Sequence, residues 1–242
     1  MALAGRIILD TNKPEGIDIN MGCPVPKAVN QFNGAYLMKD PKKASQIVKA
    51  LKQEITEVPI TVKTRLGWNN TQDILEFAKI IQEAGADAIS IHGRTKEQGY
   101  SGIANWKIIG EVKKSLHIPV FVNGDIVDFS TAKQALNDSQ ADGLLIARGA
   151  LGRPWIFNNL RESFKNDTQI VPPNILTTIE LIKKHAEYQI SFYGENGLIQ
   201  LRKHFPWYFK GIPNFRKYRS KAVQVKTISD IDNLIQEIKK DL

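Results

Sequence analysis

Two hydrophobic periods alternate along the first two thirds of the chain. Short apolar runs rich in β-branched residues are separated by stretches with apolar positions three and four apart. Gly16-Ile-Asp-Ile-Asn20 reads as a strand. Residues 41–55 read as a helix with Ala44, Ile47, Val48 and Leu51 on one face, Asp40 as N-cap and Pro41 in the first turn. The alternation continues with a strand at 60–65, a helix at 71–84, a strand at 88–92 and a helix at 106–115. It ends with a strand at 119–123, a helix at 130–137 and a strand at 143–147, after which Pro154 opens another helix. Arg6-Ile-Ile-Leu-Asp10 offers a sixth strand.

Serial βα units predict a parallel sheet, and the nearly continuous apolar strands predict one buried on both faces. Polar residues close every strand: Asn20, Lys63 and Arg65, His92 and Arg94, Asn123 and Asp125, then Arg148. A barrel gathers such ends into one ring, whereas an open doubly wound sheet spreads them along a crevice. The expected fold is therefore α/β, a (β/α)8 TIM-type barrel that is N-terminally incomplete, followed by a small all-helical domain. The pattern changes after residue 157. Residues 176–192 and 228–242 read as amphipathic helices, and Pro172-Pro173 as a linker. The expected domains are 1–157, the barrel part, and 158–242, the helical part.

Charge sharpens this division. The 242 residues carry 33 Lys and Arg against 25 Asp and Glu, a net +8. Residues 158–242 hold fourteen of the basic and nine of the acidic residues, and residues 200–226 hold eight basic residues and no acid. Phe205, Trp207, Tyr208, Phe209, Phe215 and Tyr218 are interleaved with them. Cations between aromatic rings suit nucleic acid, with Arg202, Lys203 and Lys210 on phosphates and exposed rings stacked on bases; the same rings fit equally the core of the helical domain, with the charges as a solvated face. No run of eighteen apolar residues occurs, so no membrane span is expected. One cysteine, Cys23, makes neither an internal disulfide nor a zinc site alone, and no metal is expected. With no secretory signal pattern at the N-terminus, a cytoplasmic location is expected.

Cys23 lies in Asn20-Met-Gly-Cys-Pro24, where Gly22 and Pro24 turn the chain at a strand end. A lone cysteine more often packs as a small apolar side chain. At the functional rim of a sheet, a thiol serves as an acid or a nucleophile. Lys63, Arg65 and His92 are costly in a strand unless paired or bound to something.

Five motifs in order carry a family resemblance: Asp18-Ile-Asn-Met-Gly-Cys-Pro24, Val62-Lys-Thr-Arg-Leu-Gly-Trp68, Ile91-His-Gly-Arg-Thr95, Val122-Asn-Gly-Asp-Ile126 and Ala147-Arg-Gly-Ala-Leu-Gly-Arg-Pro-Trp-Ile156. Together they resemble the tRNA-dihydrouridine synthases, the bacterial B-type branch most, from about residue 17 to about residue 212. The resemblance implies an FMN-containing barrel, a helical tRNA-binding domain, and reduction of uridine to 5,6-dihydrouridine with NADPH as reductant. Carried over by motif, Cys23 would give a proton to uracil C5 while hydride reaches C6 from the flavin. Asn20 would hold the uracil edge, and Arg94 would lie near flavin and substrate. Lys63 and His92 would contact the flavin ring. Asn123, Gly124, Asp125, Ala147 and Arg148 would hold its phosphate, while Arg202 and Lys203 would meet tRNA. Against the family pattern the chain reads as N-terminally truncated, lacking the first barrel strands. Two further readings fit the residues: an RNA-binding remnant without catalysis, and an FMN barrel oxidoreductase of small pyrimidines.

Overall fold

A computed structural model of the chain describes residues 1–210 and 215–240. Phe215 is described for its backbone alone, so its expected role as a stacking ring lies outside the described residues, as do the last two residues of the expected terminal helix. The chain divides into two compact units, Met1–Ala147 and Arg148–Leu242.

The first unit runs α1 (Ala2–Asn12), β1 (Ile17–Asn20), α2 (Pro26–Val29), a 3-10 helix (Gly34–Lys39), α3 (Pro41–Glu54), β2 (Ile60–Arg65) and α4 (Asp73–Glu83). It continues with β3 (Ala88–His92), α5 (Lys107–Ser115), β4 (Val120–Asn123), α6 (Phe129–Ser139) and β5 (Gly143–Leu145). The five strands form one parallel sheet in chain order. Successive helices touch, α3 on α4, α4 on α5 and α5 on α6, so they form one layer on one face. A doubly wound sheet instead reverses its strand order and puts helices on both faces.

Register explains the two faces. Ile19, Val62, Ile89, Ile91, Val120 and Val122 are buried and point into the helical layer. The other face carries Asp18 and Asn20, Thr61, Lys63 and Arg65, Ser90 and His92, Phe121 and Asn123. Toward the strand starts this face is open: Asp18 is exposed, and Thr61, Lys63, Ser90 and Phe121 are half-buried. The expectation of burial on both faces is thus met on one. Alternation with period two sends every second residue of β2 to the polar side.

The proposed sixth strand is corrected. Arg6 to Asp10 lie within α1, held to α3 by the close fit of Gly5 against Leu51 and Ile55. Arg6 bonds Glu54 and Glu57, ties that a strand at this place would not make.

Asp40 caps α3, accepting from the Lys43 N–H at 3.0 Å, a bond worth about 1 kcal/mol. A second device occurs twice. Asp87 and Asp142 precede β3 and β5. Asp87 accepts the Ile60 N–H that opens β2 and pairs with Lys52 of α3; Asp142 accepts the Val120 N–H that opens β4 and pairs with Lys113 of α5. Each carboxylate thus locks a helix and a strand start to the next strand.

The second unit contains a 3-10 turn (Arg148–Ala150), α7 (Ile156–Asn166), α8 (Ile175–Tyr193), α9 (Gly197–Leu201), α10 (Phe205–Tyr208), α11 (Arg219–Ala222) and α12 (Ile228–Lys240). No strand occurs among its described residues, and no described helix is long and apolar enough to cross a membrane. Its core joins Ile179, Ile182, Leu198 and Leu201 to Ile231, Leu234, Ile235 and Ile238. Phe205, Tyr208, Phe209 and Tyr218 are buried in that same core, which decides between the two expected uses of these rings in favour of packing; Trp207 is the ring left partly exposed. Gly152 packs so tightly on the Trp207 backbone that a Cβ there would sit 2.3 Å from it. Gly152, the second glycine of the Ala147–Gly152 motif, therefore serves packing within this unit.

The Asp87 and Asp142 carboxyls are both held below the ordinary carboxylate range. For Asp87, burial pushes upward and is outweighed by the bonds from Lys52 and the Ile60 N–H; for Asp142, Lys113 and the Val120 N–H pull downward. Their stabilisation is complete above the unfolded carboxylate value of about 3.9 and is lost as pH falls through the lowered folded values. Denaturant unfolding between pH 5 and pH 2 is expected to show stability falling with pH, and Asp87→Asn with Asp142→Asn to flatten that slope.

Candidate active site

The carboxyl ends of β1 to β4 bring the expected first-unit residues together. Asn20 pairs in register with Lys63, Arg65 with His92, and His92 with Asn123.

The Cys23 turn is built by local bonds. Asn20 Oδ1 accepts the N–H groups of Gly22 and Cys23 at 3.1 and 3.0 Å, an Asx turn that fixes the chain as it leaves β1. Gly22 lies against the Thr64 backbone, where a Cβ would sit 3.1 Å away. The Ala35 N–H donates to the Cys23 carbonyl at 3.0 Å. Gly34 has φ 59° and its Cβ would meet that carbonyl at 2.7 Å, so glycine is required twice over. Cys23 itself is half-buried.

Two buried guanidiniums hold the rim. Arg65 donates to the carbonyls of Gly22 at 2.8 Å, Thr95 at 3.1 Å and Gly99 at 2.8 Å, which ties the loop after β1 to the loop after β3. Arg94 pairs with both oxygens of Asp125 at 2.9 and 2.7 Å and donates to the carbonyls of Ser101 and Gly102. Asp125 also accepts the Ala104 N–H. Arg94 is 2% exposed, so breaking this pair from either side would cost about 3–5 kcal/mol. Both arginines act on loops as positioning residues. Sequence reasoning missed this role for Arg65, because its acceptors are backbone carbonyls that no motif displays.

Gly124 has φ 115°; its carbonyl accepts from the Trp106 indole at 3.0 Å, and a Cβ would meet Ala104 at 3.0 Å and the His92 ring at 3.4 Å. The Asn123 side-chain amide donates to Leu145 at 2.7 Å, which anchors the end of β5. Ala147 closes the first unit, and Arg148 opens the second in a 3-10 turn. Arg202 and Lys203 lie in the second unit, between α9 and α10. Arg202 donates to the Val225 carbonyl at 2.7 Å, and Lys203 is exposed.

Lys63 and His92 are left for chemistry. Lys63 makes no side-chain hydrogen bond or ion pair among the described residues, and its proton affinity is lowered by burial and by Arg65; Asp18 and Cys23 are near enough to act on it in the opposite sense. His92 is buried, and its Nδ1 has no hydrogen-bond partner among the described residues. Burial, then Arg65, Lys63 and Arg94, push its pKa down to about 3. A neutral imidazole with an unmatched buried nitrogen awaits a ligand.

The five-stranded parallel sheet thus brings a thiol, an amine and a neutral imidazole to neighbouring strand ends. The family model described as "Dihydrouridine synthase (Dus)" matches residues 1–242. The chain is 42% identical over 205 residues to a probable tRNA-dihydrouridine synthase of Rickettsia conorii, covering 84% of this chain and 62% of that protein. It is 37% identical over 224 residues to a probable tRNA-dihydrouridine synthase 1 of Synechocystis, covering 92% and 63%. With the Mycobacterium leprae protein of the same description, identity is 35% over 240 residues, covering 97% and 62%. The chain belongs to the dihydrouridine synthase family, and it spans 62–63% of the length of these relatives.

His92 provides the test of this electrostatic picture. The unfolded ring takes a proton near pH 6.5, and the folded ring only at about pH 3. Stability from this group is therefore present above pH 6.5 and declines as pH falls from there toward 3. A site-resolved imidazole NMR titration is expected to find His92 still neutral at pH 5; a His92 ring already protonated there would contradict the picture.

Proposed function

We propose that the protein acts on tRNA, reducing uridine to 5,6-dihydrouridine, with FMN as cofactor and NADPH as reductant. The observation that carries this reading is the Cys23 thiol, fixed at the end of β1 within electrostatic reach of the Lys63 amine, beside a polar strand face. The family membership supports the reaction.

The residues present fit a flavin. The unmatched Nδ1 of His92 and the unpaired Lys63 ammonium suit the polar edge of a ring. The tight, left-handed turn at Gly124 lets backbone approach a ligand, and the N–H groups around Asn123, Gly124, Asp125 and Ala147 suit its phosphate. When bound, the flavin supplies the hydride that uracil C6 receives.

The chain's own residues do the rest. Hydride addition leaves negative charge on the ring, and the Cys23 Sγ–H delivers the proton that C5 needs. Asn20 spends its carbonyl oxygen on the Cys23 turn, which leaves its amide N–H groups for a carbonyl on the uracil edge. Lys63 stabilises the developing anion as a cation close to the thiol. Arg94 acts through Asp125 and the loops it holds.

A uridine inside folded tRNA must leave its stack to reach such a site, which calls for grip elsewhere on the RNA. The second unit is the proposed grip. Lys203, Lys210, Arg216, Lys217, Arg219 and Lys226 are exposed there, whereas Arg202 is partly committed to Val225.

In a flavin-loaded preparation, Cys23→Ala is expected to lower dihydrouridine formation by about 10²–10⁴-fold. Flavin reduction by NADPH, followed anaerobically in the same sample, is expected at the parent rate. Uridine reduction at the parent rate would remove Cys23 from the mechanism.

A further inference from the structure

The turn that carries Cys23 runs on into α2, and α2 ends in an unusual way. The Phe32 N–H donates to the Val29 carbonyl, and the Asn33 N–H to the Ala28 carbonyl, each at 3.0 Å. These are the paired bonds of a Schellman ending, whose left-handed position normally holds glycine or asparagine. Here it holds Phe32, with φ 59°. A bulky side chain in this conformation is strained. Burial does not repay the strain, since Phe32 is 54% exposed.

The ring begins an aromatic strip. Phe32 meets Tyr36 edge to face, with centroids 4.9 Å apart, and Tyr36 meets Trp68 in the same manner at 6.3 Å. Two cations lie on Trp68, with the Lys39 Nζ 3.8 Å and the Lys96 Nζ 4.3 Å from the ring centroid. The adjoining cleft, of about 610 Å³, contains Asp73, Glu76 and Glu97, yet neither lysine forms an ion pair among the described residues. Both ammonium groups remain available to an anion stronger than an aromatic face.

We propose that this strip binds the RNA strand next to the target uridine, with an unstacked base on Phe32 and flanking phosphates on Lys39 and Lys96. Extruding one nucleotide removes a stacking partner from its neighbours, and an exposed aromatic ring replaces that partner whatever the base. The two cations on Trp68, at the far end of the strip from Phe32, match phosphates along the strand. The strained backbone holds the ring out from the surface. This inference rests on the tRNA reading above and adds a contact made by the first unit.

Strain makes the test selective. Phe32→Gly relieves the left-handed strain while removing the stacking ring. Binding of labelled tRNA to the full chain, measured by anisotropy across a salt series, is expected to weaken about tenfold in Phe32→Gly. Its thermal midpoint is expected to be no lower than the parent's, and Phe32→Trp to retain affinity. Lys39→Gln with Lys96→Gln is expected to flatten the slope of log K against log salt by about 1.4. A Phe32→Gly variant with a lower midpoint and unchanged affinity would make the ring a packing element and overturn the proposal. If both strip variants bind like the parent while Lys203→Glu weakens binding, the strip is refuted and the tRNA reading stands. If the parent itself shows no salt-sensitive tRNA binding, the reading and the strip fall together.

Discussion

A guanidinium does not give up its proton, so an arginine buried in a protein must be met by acceptors. Arg65 is 3% exposed and finds its acceptors in the carbonyls of Gly22, Thr95 and Gly99. The rim of the sheet depends on this constraint. Two backbone segments that share no ladder bond, the turn bearing Cys23 and the loop after β3, are drawn to one side chain. Arg94 repeats the arrangement one strand further on, with Asp125 as counter-ion. Burial first, then the same two cations with Lys63, keep His92 neutral. Architecture and electrostatics thus come from the same side chains.

The sheet separates stability from chemistry by face. The apolar residues of β1 to β4 are spent on the helical layer, and the Asp87 and Asp142 locks join helices to strands at the opposite ends from the candidate site. The polar face is released from the task of core packing. It can hold an amine, an imidazole and a carboxamide whose burial is tolerated because each meets backbone, charge or ligand. In the second unit a core of aromatic and aliphatic side chains lies inside, and the cations of residues 203–226 lie outside it.

Much of this was legible in the sequence, and the failures have physical causes. The strands at 60–65 and 88–92 follow from β-branched runs, and the start of α3 follows from Asp40 and Pro41, since caps and alternation are local signals. The run Arg6-Ile-Ile-Leu-Asp10 has a strand's composition but folds as α1, because the fit of Gly5 on Leu51 and Ile55 is a tertiary contact. For the rings of residues 205–218, composition leaves surface stacking and core packing both open. Folding on a helical period turns Phe205, Tyr208, Phe209 and Tyr218 inward and leaves the charges outside. The ring of polar strand ends was visible as a pattern. The link that Arg65 makes between loops was not, since its acceptors are main-chain carbonyls 30 or more residues away; the Arg94–Asp125 pair was not, since it joins the ends of two different strands. Phe32 gave no sequence signal either, because its left-handed backbone is known only once α2 is seen to end there.

The central claim is that one buried guanidinium holds the Cys23 turn and the loop after β3 in place. Amide hydrogen exchange in Arg65→Leu tests it directly. The account predicts that protection falls together at Gly22, Cys23 and residues 95–99, while the amides of β2 to β4 keep the parent's protection. Retained protection in both loops, or a uniform loss across the sheet, would contradict it.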